Sequence, residues 1–378
     1  MESPNLPEAD QVTGQQIKLP EIPGQIIPDI LSRLPVKSLC RFKCVSKSWQ
    51  YLVSDPKFSL KTNVSRAIFW IETSPFLHSV NPDLLGENIL NPLSEISYRP
   101  NQNQVILGSC KGFILFSYST SIYLWNPSIR CCKKVLRLSL LRENYTVVAS
   151  GICFDEVSDD YKIVILLSLI TGRRIILLAS LRSQAWAEIN HPHSMFSAKS
   201  GPVVNGNIHW VVREEKGDRD LIFYFDKTTN RFVKLPMPDN NVGDSTDIFR
   251  LGVLDGCLTL SRFGNIWDLE HITEVLIMKE YGVKESWMTL CRIPMKGPRI
   301  WSPPLFYIKG SRDEVLISNG LSVVVFSLKD QTMREFPFAM MPHDFCMYVE
   351  SLTTIPERLR DQRREQNASG SMERAAGT

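Results

Sequence analysis

The chain has 378 residues, 43% hydrophobic and 22% charged, with a formal net charge of +3 at pH 7. That balance fits a protein with a sizeable core, and the charge is too weak to imply nucleic acid. Its nine cysteines are odd in number and contain no CxxC pair, so neither a disulfide framework nor a zinc site is laid out, and the expected compartment is a reducing one, cytoplasm or nucleus.

Residues 1–21 carry proline, glycine and acidic residues without periodicity, the pattern of a disordered leader. The opening "MESPNLPEADQVTGQQ" lacks the basic start and apolar core of a secretory signal. The longest apolar run, "IVILLSLI" from Ile163 to Ile170, is too short to cross a bilayer, so no membrane association is expected.

Residues 22–60 read as three short helices. Pro28 suits a first turn, where no backbone donor is needed, and Pro35 stops the helix that runs from Asp29 to Leu34. Leu39 and Phe42, three apart, share one side of a second helix. Ser46 is placed to cap a third that carries Trp49 and Val53 and ends at Asp55-Pro56. A unit this small buries a core poorly, so part of its apolar surface is expected to be covered by another chain. Leu34, Leu39, Phe42, Val45 and Trp49 are the candidates, with about half of that cluster expected to pack the helices together instead. Six basic residues against two acidic ones between Ile22 and Leu60 give the module a local charge of +4, which favours an acidic partner.

From Val64 to Thr354 helical periodicity gives way to short β-branched and aromatic runs separated by turn residues. Segments beginning at Gly108, Gly151, Gly201, Leu251 and Pro303 recur roughly every fifty residues, the period of a propeller blade of about four strands. "VNGN" at Val204 to Asn207 and "LDGC" at Leu254 to Cys257 are hairpin turns in which asparagine or aspartate and then glycine adopt positive φ. "YLWNPSIRCCKKV", "FYFDKTTNRFVKLP" and "VVFSLKDQTMREFPF" echo one another as strand, polar turn, basic residue and strand. The expected fold is α+β and multidomain: a three-helix unit followed by an all-β propeller of about six blades. The propeller is expected to close by pairing "CMYVESLTT" near Met347 with "RAIFWIE" near Phe69, and the two modules to have separate cores. The charged stretch 357–378 reads as a disordered tail.

The order "IPGQIIPDILSRLPVKSLCRFKCVSKSWQYLVSDPKF" from Ile22 to Phe58 resembles the plant-type F-box. Ile22-Pro23 stands where that family has Leu-Pro, and Gly24-Gln25 where an acidic residue is common. "LWNPSIR" at Leu124 to Arg130, "FDEVSDDYKIV" at Phe154 to Val164 and "EYGVKESWMTLCRI" at Glu280 to Ile293 resemble signatures of the F-box-associated domain. The resemblance implies an F-box over 22–60, an F-box-associated propeller over 61–356, and the role of a substrate receptor in an SCF-type ubiquitin ligase. Its partners would be a Skp-type adaptor, the cullin and RING subunit reached through it, and a protein target. The adaptor-binding residues would be Ile22, Pro23, Ile27, Ile30, Leu31, Leu34, Pro35, Val36, Leu39, Phe42, Val45 and Trp49.

Little in the chain points to chemistry. There is no HExxH, no phosphate-cradling GxxxxGK[ST] and no GxSxG elbow. Cys110 lies in a glycine turn and reads as turn or core; His191 and His193 stand two apart on a loop with no cysteine near in sequence, and no metal site is expected of them; Asp159 and Asp160 read as turn residues. No catalytic residue, cofactor or metal is expected. A propeller enzyme with its site at the central channel is the alternative, and a free-standing binding protein a further one. A protein target is expected to meet loops, for which "REEKGDRD" at Arg213 to Asp220, "FGNIWDLEH" at Phe263 to His271 and "GPRIWSP" at Gly297 to Pro303 are the candidates. Trp267 and Trp301 are the expected anchors.

Overall fold

A computed structural model of the chain describes residues 26–34, 36–55, 58, 65–71, 77–80, 90–92, 104–118, 120–137, 145–183, 185–189, 194–196, 200–214, 220–238, 248–263, 270–296, 306–307, 313–318, 322–337 and 342–355. Three helices come first: α1 (Ile26–Ser32), α2 (Val36–Phe42) and α3 (Lys47–Ser54). Ser46 caps α3 as expected, its hydroxyl accepting the Trp49 amide at 3.2 Å. The first helix begins before Pro28, which still falls within its opening turn.

The remaining described strands form six antiparallel sheets. The short strands β1 (Ser65–Ile71), β2 (Leu77–Val80) and β3 (Leu90–Pro92) belong to the last blade. The first blade is β4 (Gln104–Cys110), β5 (Phe113–Tyr118), β6 (Ser121–Asn126) and β7 (Cys131–Arg137). The second is β8 (Tyr145–Asp155), β9 (Asp160–Leu169), β10 (Arg174–Ser180) and β11 (Ala185–Ile189). The third has its leading strand in two pieces, β12 (Ser194–Phe196) and β13 (Val203–Val204), followed by β14 (Asn207–Glu214), β15 (Asp220–Asp226) and β16 (Arg231–Leu235). The fourth is β17 (Ile248–Leu254), β18 (Cys257–Phe263), β19 (Glu270–Met278) and β20 (Trp287–Lys296). The fifth is β21 (Phe306–Tyr307), β22 (Glu314–Ser318), β23 (Ser322–Ser327) and β24 (Met333–Pro337). The sixth begins with β25 (Pro342–Val349), which pairs with β1: Met347 lies opposite Ala67 and Phe345 opposite Phe69. The two ends of the β region therefore share a blade, which removes the open edge.

Leading strands of successive blades lie side by side, β25 by β4, β4 by β8 and β8 by β13. Glycine permits that approach. A Cβ on Gly108 of β4 would sit 3.3 Å from both the Gly151 Cα and the Ile152 nitrogen of β8. The anticipated hairpins also form: Asn205 and Gly206 have φ of 50° and 76°, Asp255 and Gly256 of 51° and 79°. The three echoing stretches are the β6–β7, β15–β16 and β23–β24 hairpins, each with one left-handed residue: Arg130, Asn230 and Gln331.

The core lies between blades. Along β9, Ile163, Ile165 and Leu167 face the first blade, while Val164 and Leu166 face the third. This strand is covered on both faces, which is why it reads as an unbroken apolar run. Alternation on β6 divides the same way, Ile122 and Leu124 toward the second blade and Trp125 toward the sixth.

The expectation of separate cores is overturned. Leu31, Val36, Leu39, Val53 and Phe58 of the helical module enclose Leu352 from the segment after β25, with Ile129 of the β6–β7 turn packed alongside. A unit of this size lacks the apolar residues to fill its own centre, and the propeller supplies one.

Candidate functional site

The helical module divides its apolar residues between an interior and a surface. Leu31, Val36 and Leu39 are inside, each at most 4% exposed, so they shape the helices and do not themselves present a face to a partner. Ile27, Leu34, Phe42 and Trp49 are half-buried around that core. The Phe42 and Trp49 rings meet edge to face, with centroids 5.4 Å apart, bracing α2 against α3. Ile26, Ile30, Val45 and Tyr51 remain exposed, Val45 at 61% and Tyr51 at 78%. Of the residues that the resemblance assigns to adaptor binding, Ile30 and Val45 are the exposed ones among the described residues. Ile26 and Tyr51 are exposed in the same module, and neither is among the residues that the resemblance assigns to adaptor binding. Arg33, Arg41 and Lys47 are exposed in the same helices and turns, leaving the surface mixed apolar and basic. Ile22, Pro23 and Pro35 lie outside the described residues.

Strand direction fixes which loops share an end of the propeller. β25 runs toward Val349, beside the start of β1 and just before Leu352, so its far end is the one that meets the helices. Leading strands run parallel, as the Ser150–Ser200 bridge records. The turns after β4, β8, β13 and β17 are therefore on the helical side. The segments joining β14 to β15, β18 to β19 and β20 to β21 connect strand ends on the opposite side. Those are the three stretches singled out as target loops. Trp267 and Trp301 fall within them, at positions outside the described residues; His191 and His193, between β11 and β12, are outside the described residues too.

On the helical side, the signatures are fasteners. In "LWNPSIR", Asn126 Nδ2 donates to the Ser351 and Thr353 carbonyls, each at 2.9 Å, and its Oδ1 accepts the Ser128 amide. The Ser128 hydroxyl in turn accepts the Ser351 amide at 3.2 Å. In "FDEVSDDYKIV", Asp155 accepts from the Val157 amide and the Ser158 hydroxyl and pairs with Lys162 at 3.0 Å. Burial alone would raise the Asp155 carboxyl, but Ser158, Lys162 and the Val157 amide hold it down at about 2. Lys162 also reaches the third blade, donating to the Lys227 carbonyl and to Asn230 Oδ1. Asp160, read from sequence as a plain turn residue, is buried and accepts from Ser180 and the Arg182 amide.

In "EYGVKESWMTLCRI", the Tyr281 hydroxyl bonds His209 Nε2 of the third blade at 2.7 Å, and Trp287 Nε1 donates to the Pro236 carbonyl at 3.0 Å. Burial pushes His209 down to about 4. Burial also pushes the Cys110 thiol up to about 12, so little thiolate forms there, in keeping with the turn-or-core reading. Among the described residues, no group of three or more His, Cys, Asp or Glu converges as a metal site would require.

Comparison with known proteins returns two family models. The F-box associated beta propeller domain matches residues 68–355, and the F-box domain matches residues 19–61. The F-box/kelch-repeat protein At3g23880 of Arabidopsis thaliana is 29% identical over 313 residues, covering 75% of this chain and 83% of the relative. F-box protein CPR1 of the same plant is 27% identical over 374 residues, covering 88% of each. F-box protein At3g07870, also from Arabidopsis thaliana, is 28% identical over 311 residues, covering 71% of this chain and 72% of that one.

Proposed function

The chain belongs to the F-box proteins that carry an F-box-associated β-propeller, and from that premise we propose that it is the target-recognition subunit of an SCF-type ubiquitin ligase. Its F-box docks a Skp-type adaptor, and through it the cullin and RING subunits, while the propeller holds a protein target.

The observation that carries this reading is the division of labour in the helices. Leu352 completes their core, yet Ile26, Ile30, Val45 and Tyr51 stay exposed. Four large apolar side chains left uncovered within so short a module support a further partner. Truncating such an anchor at the centre of an interface typically costs about 2 kcal/mol or more. Exposed Arg33, Arg41 and Lys47 favour an acidic adaptor and raise the rate of encounter. Target binding is assigned to the propeller end away from the F-box, on whose side lie the strand ends that the three candidate loops join, with Trp267 and Trp301 as the proposed anchors. The receptor works by proximity, and no side chain of its own enters the chemistry of ubiquitin transfer.

Co-purification from plant cells tests the whole reading with the full chain and its Ile30→Asp variant. Adaptor and cullin should accompany the parent chain and both should drop away from the variant, while proteins held by the propeller stay on each. Recovery of neither subunit with the parent chain would overturn the ligase role.

A further inference from the structure

The segment Ser351 to Ile355, which begins two residues past the end of β25, is pinned in opposite directions. Leu352, 1% exposed, enters the helical core between Leu31, Leu39 and Val53. Ile355, 2% exposed, enters the core between the first two blades, among Leu107, Phe113 and Ile163. Between these pins, Asn126 clamps the Ser351 and Thr353 carbonyls and Ser128 holds the Ser351 amide. The strap also folds on itself, Ser351 Oγ donating to Thr353 Oγ1 at 2.8 Å and accepting the Thr353 amide at 3.0 Å. Gly112 makes room beneath it: a Cβ there would lie 2.1 Å from Ser351 Cβ. The strap follows β25, which pairs with β1 in the sixth blade.

We infer that this strap is a positioning device that makes a docking-competent F-box conditional on a closed propeller. Leu352 can fill the helical core only once β25 has paired with β1 and Asn126 has captured the strap. An open propeller, or a chain ending before Leu352, leaves a leucine-sized void among Leu31, Leu39 and Val53. Helix α1, which carries Ile30, and the α2–α3 turn, which carries Val45, then lose the packing that sets their relative placement. Incompletely folded receptor is thereby kept off the adaptor, and the double pin holds a bound target at a fixed bearing to the ligase. The docking consequence rests on the proposed adaptor role; the packing consequence does not.

Hydrogen exchange on the full chain, parent against Leu352→Ala, separates the two. Amides of α2 and α3 should exchange about thirtyfold faster in the variant, while those of β9 and β14 keep their protection. Leu352→Met, close in volume, should restore parent protection in the helices. Adaptor affinity, measured on the same samples, should fall with Leu352→Ala and return with Leu352→Met. Unchanged exchange in α2 and α3 would overturn the inference. Faster exchange in helices and strands alike would also overturn it, since Leu352 would then be supporting the propeller and not the F-box. If exchange responds as expected but the parent chain binds no adaptor, the pin stands and the ligase role falls.

Discussion

Asn126 and Ser351, 225 residues apart, are joined by a 2.9 Å hydrogen bond from the amide of one to the backbone carbonyl of the other. The same amide serves the Thr353 carbonyl, so one buried side chain satisfies two acceptors of the closing segment. Asn126→Ala removes the donor to both carbonyls and the acceptor of the Ser128 amide. Loss of these hydrogen bonds should cost about 3 kcal/mol, read as a lower urea midpoint in tryptophan fluorescence. A midpoint equal to that of the parent would mean that closure does not depend on this clamp.

Gly201 is a point where backbone meets backbone. A methyl there would press on the His209 carbonyl oxygen at 2.6 Å and the Trp210 indole nitrogen at 2.7 Å, neither of which can swing aside. Gly201→Ala should therefore cost about 2 kcal/mol or more, whereas Gly172→Ala meets no atom within 4 Å and should suffer only from its positive φ. Thermal unfolding of the two variants side by side gives the comparison.

Asp155 and Lys162 form an ion pair with side chains 5% and 11% exposed. Removing the carboxylate with Asp155→Ala takes away the direct ion-pair partner of a nearly buried ammonium, which keeps the neutral oxygens of Lys227 and Asn230 and the more distant attraction of Asp226, and should cost about 3 kcal/mol. Because the folded-state carboxyl sits at about 2, below its ordinary 3.8, its contribution is complete above pH 3.8 and is lost as pH falls toward 2. Acid unfolding monitored by circular dichroism should lose that portion of its pH dependence in Asp155→Asn.

His209 responds to pH in a higher window. Its folded-state value is about 4 against an ordinary 6.5, so below 6.5 the unfolded chain takes up the proton more readily than the folded one. Stability is full above pH 6.5 and declines as pH falls toward 4. Between pH 7 and pH 5 the loss assignable to this ring is about 2 kcal/mol. Urea unfolding at the two pH values should show that difference in the parent and much less of it in His209→Gln.

Most of the fold is legible from local chemistry. Asn-Gly and Asp-Gly at 205–206 and 255–256 dictate positive φ whatever surrounds them, so those hairpins and the blade period could be read directly. Closure of β25 on β1 was legible too, since two strand-like runs at the ends of a repeat array have nowhere else to pair. The helical core was not. Leu352 sits in a short polar stretch, "ESLTT", whose pattern gives no sign that its one leucine crosses to another module. Asp160 was misjudged for a similar reason: turn propensity explains its type, and only the fold brings Ser180 and the Arg182 amide to its oxygens. Leu31, Val36 and Leu39 follow the F-box pattern in type and order, yet that pattern records interior and docking residues alike. Exposure in the folded module is what separates them.

The most direct test of the ligase-receptor reading is the affinity of the purified full chain for a Skp-type adaptor, measured by calorimetry for the parent and for Ile30→Asp and Val45→Asp. Both substitutions lie on the exposed surface, so the thermal midpoint should stay where it is while affinity falls at least about tenfold, because a charge cannot be buried there without a partner. A parent chain that does not bind, or charged variants that bind as tightly as the parent, would contradict the account.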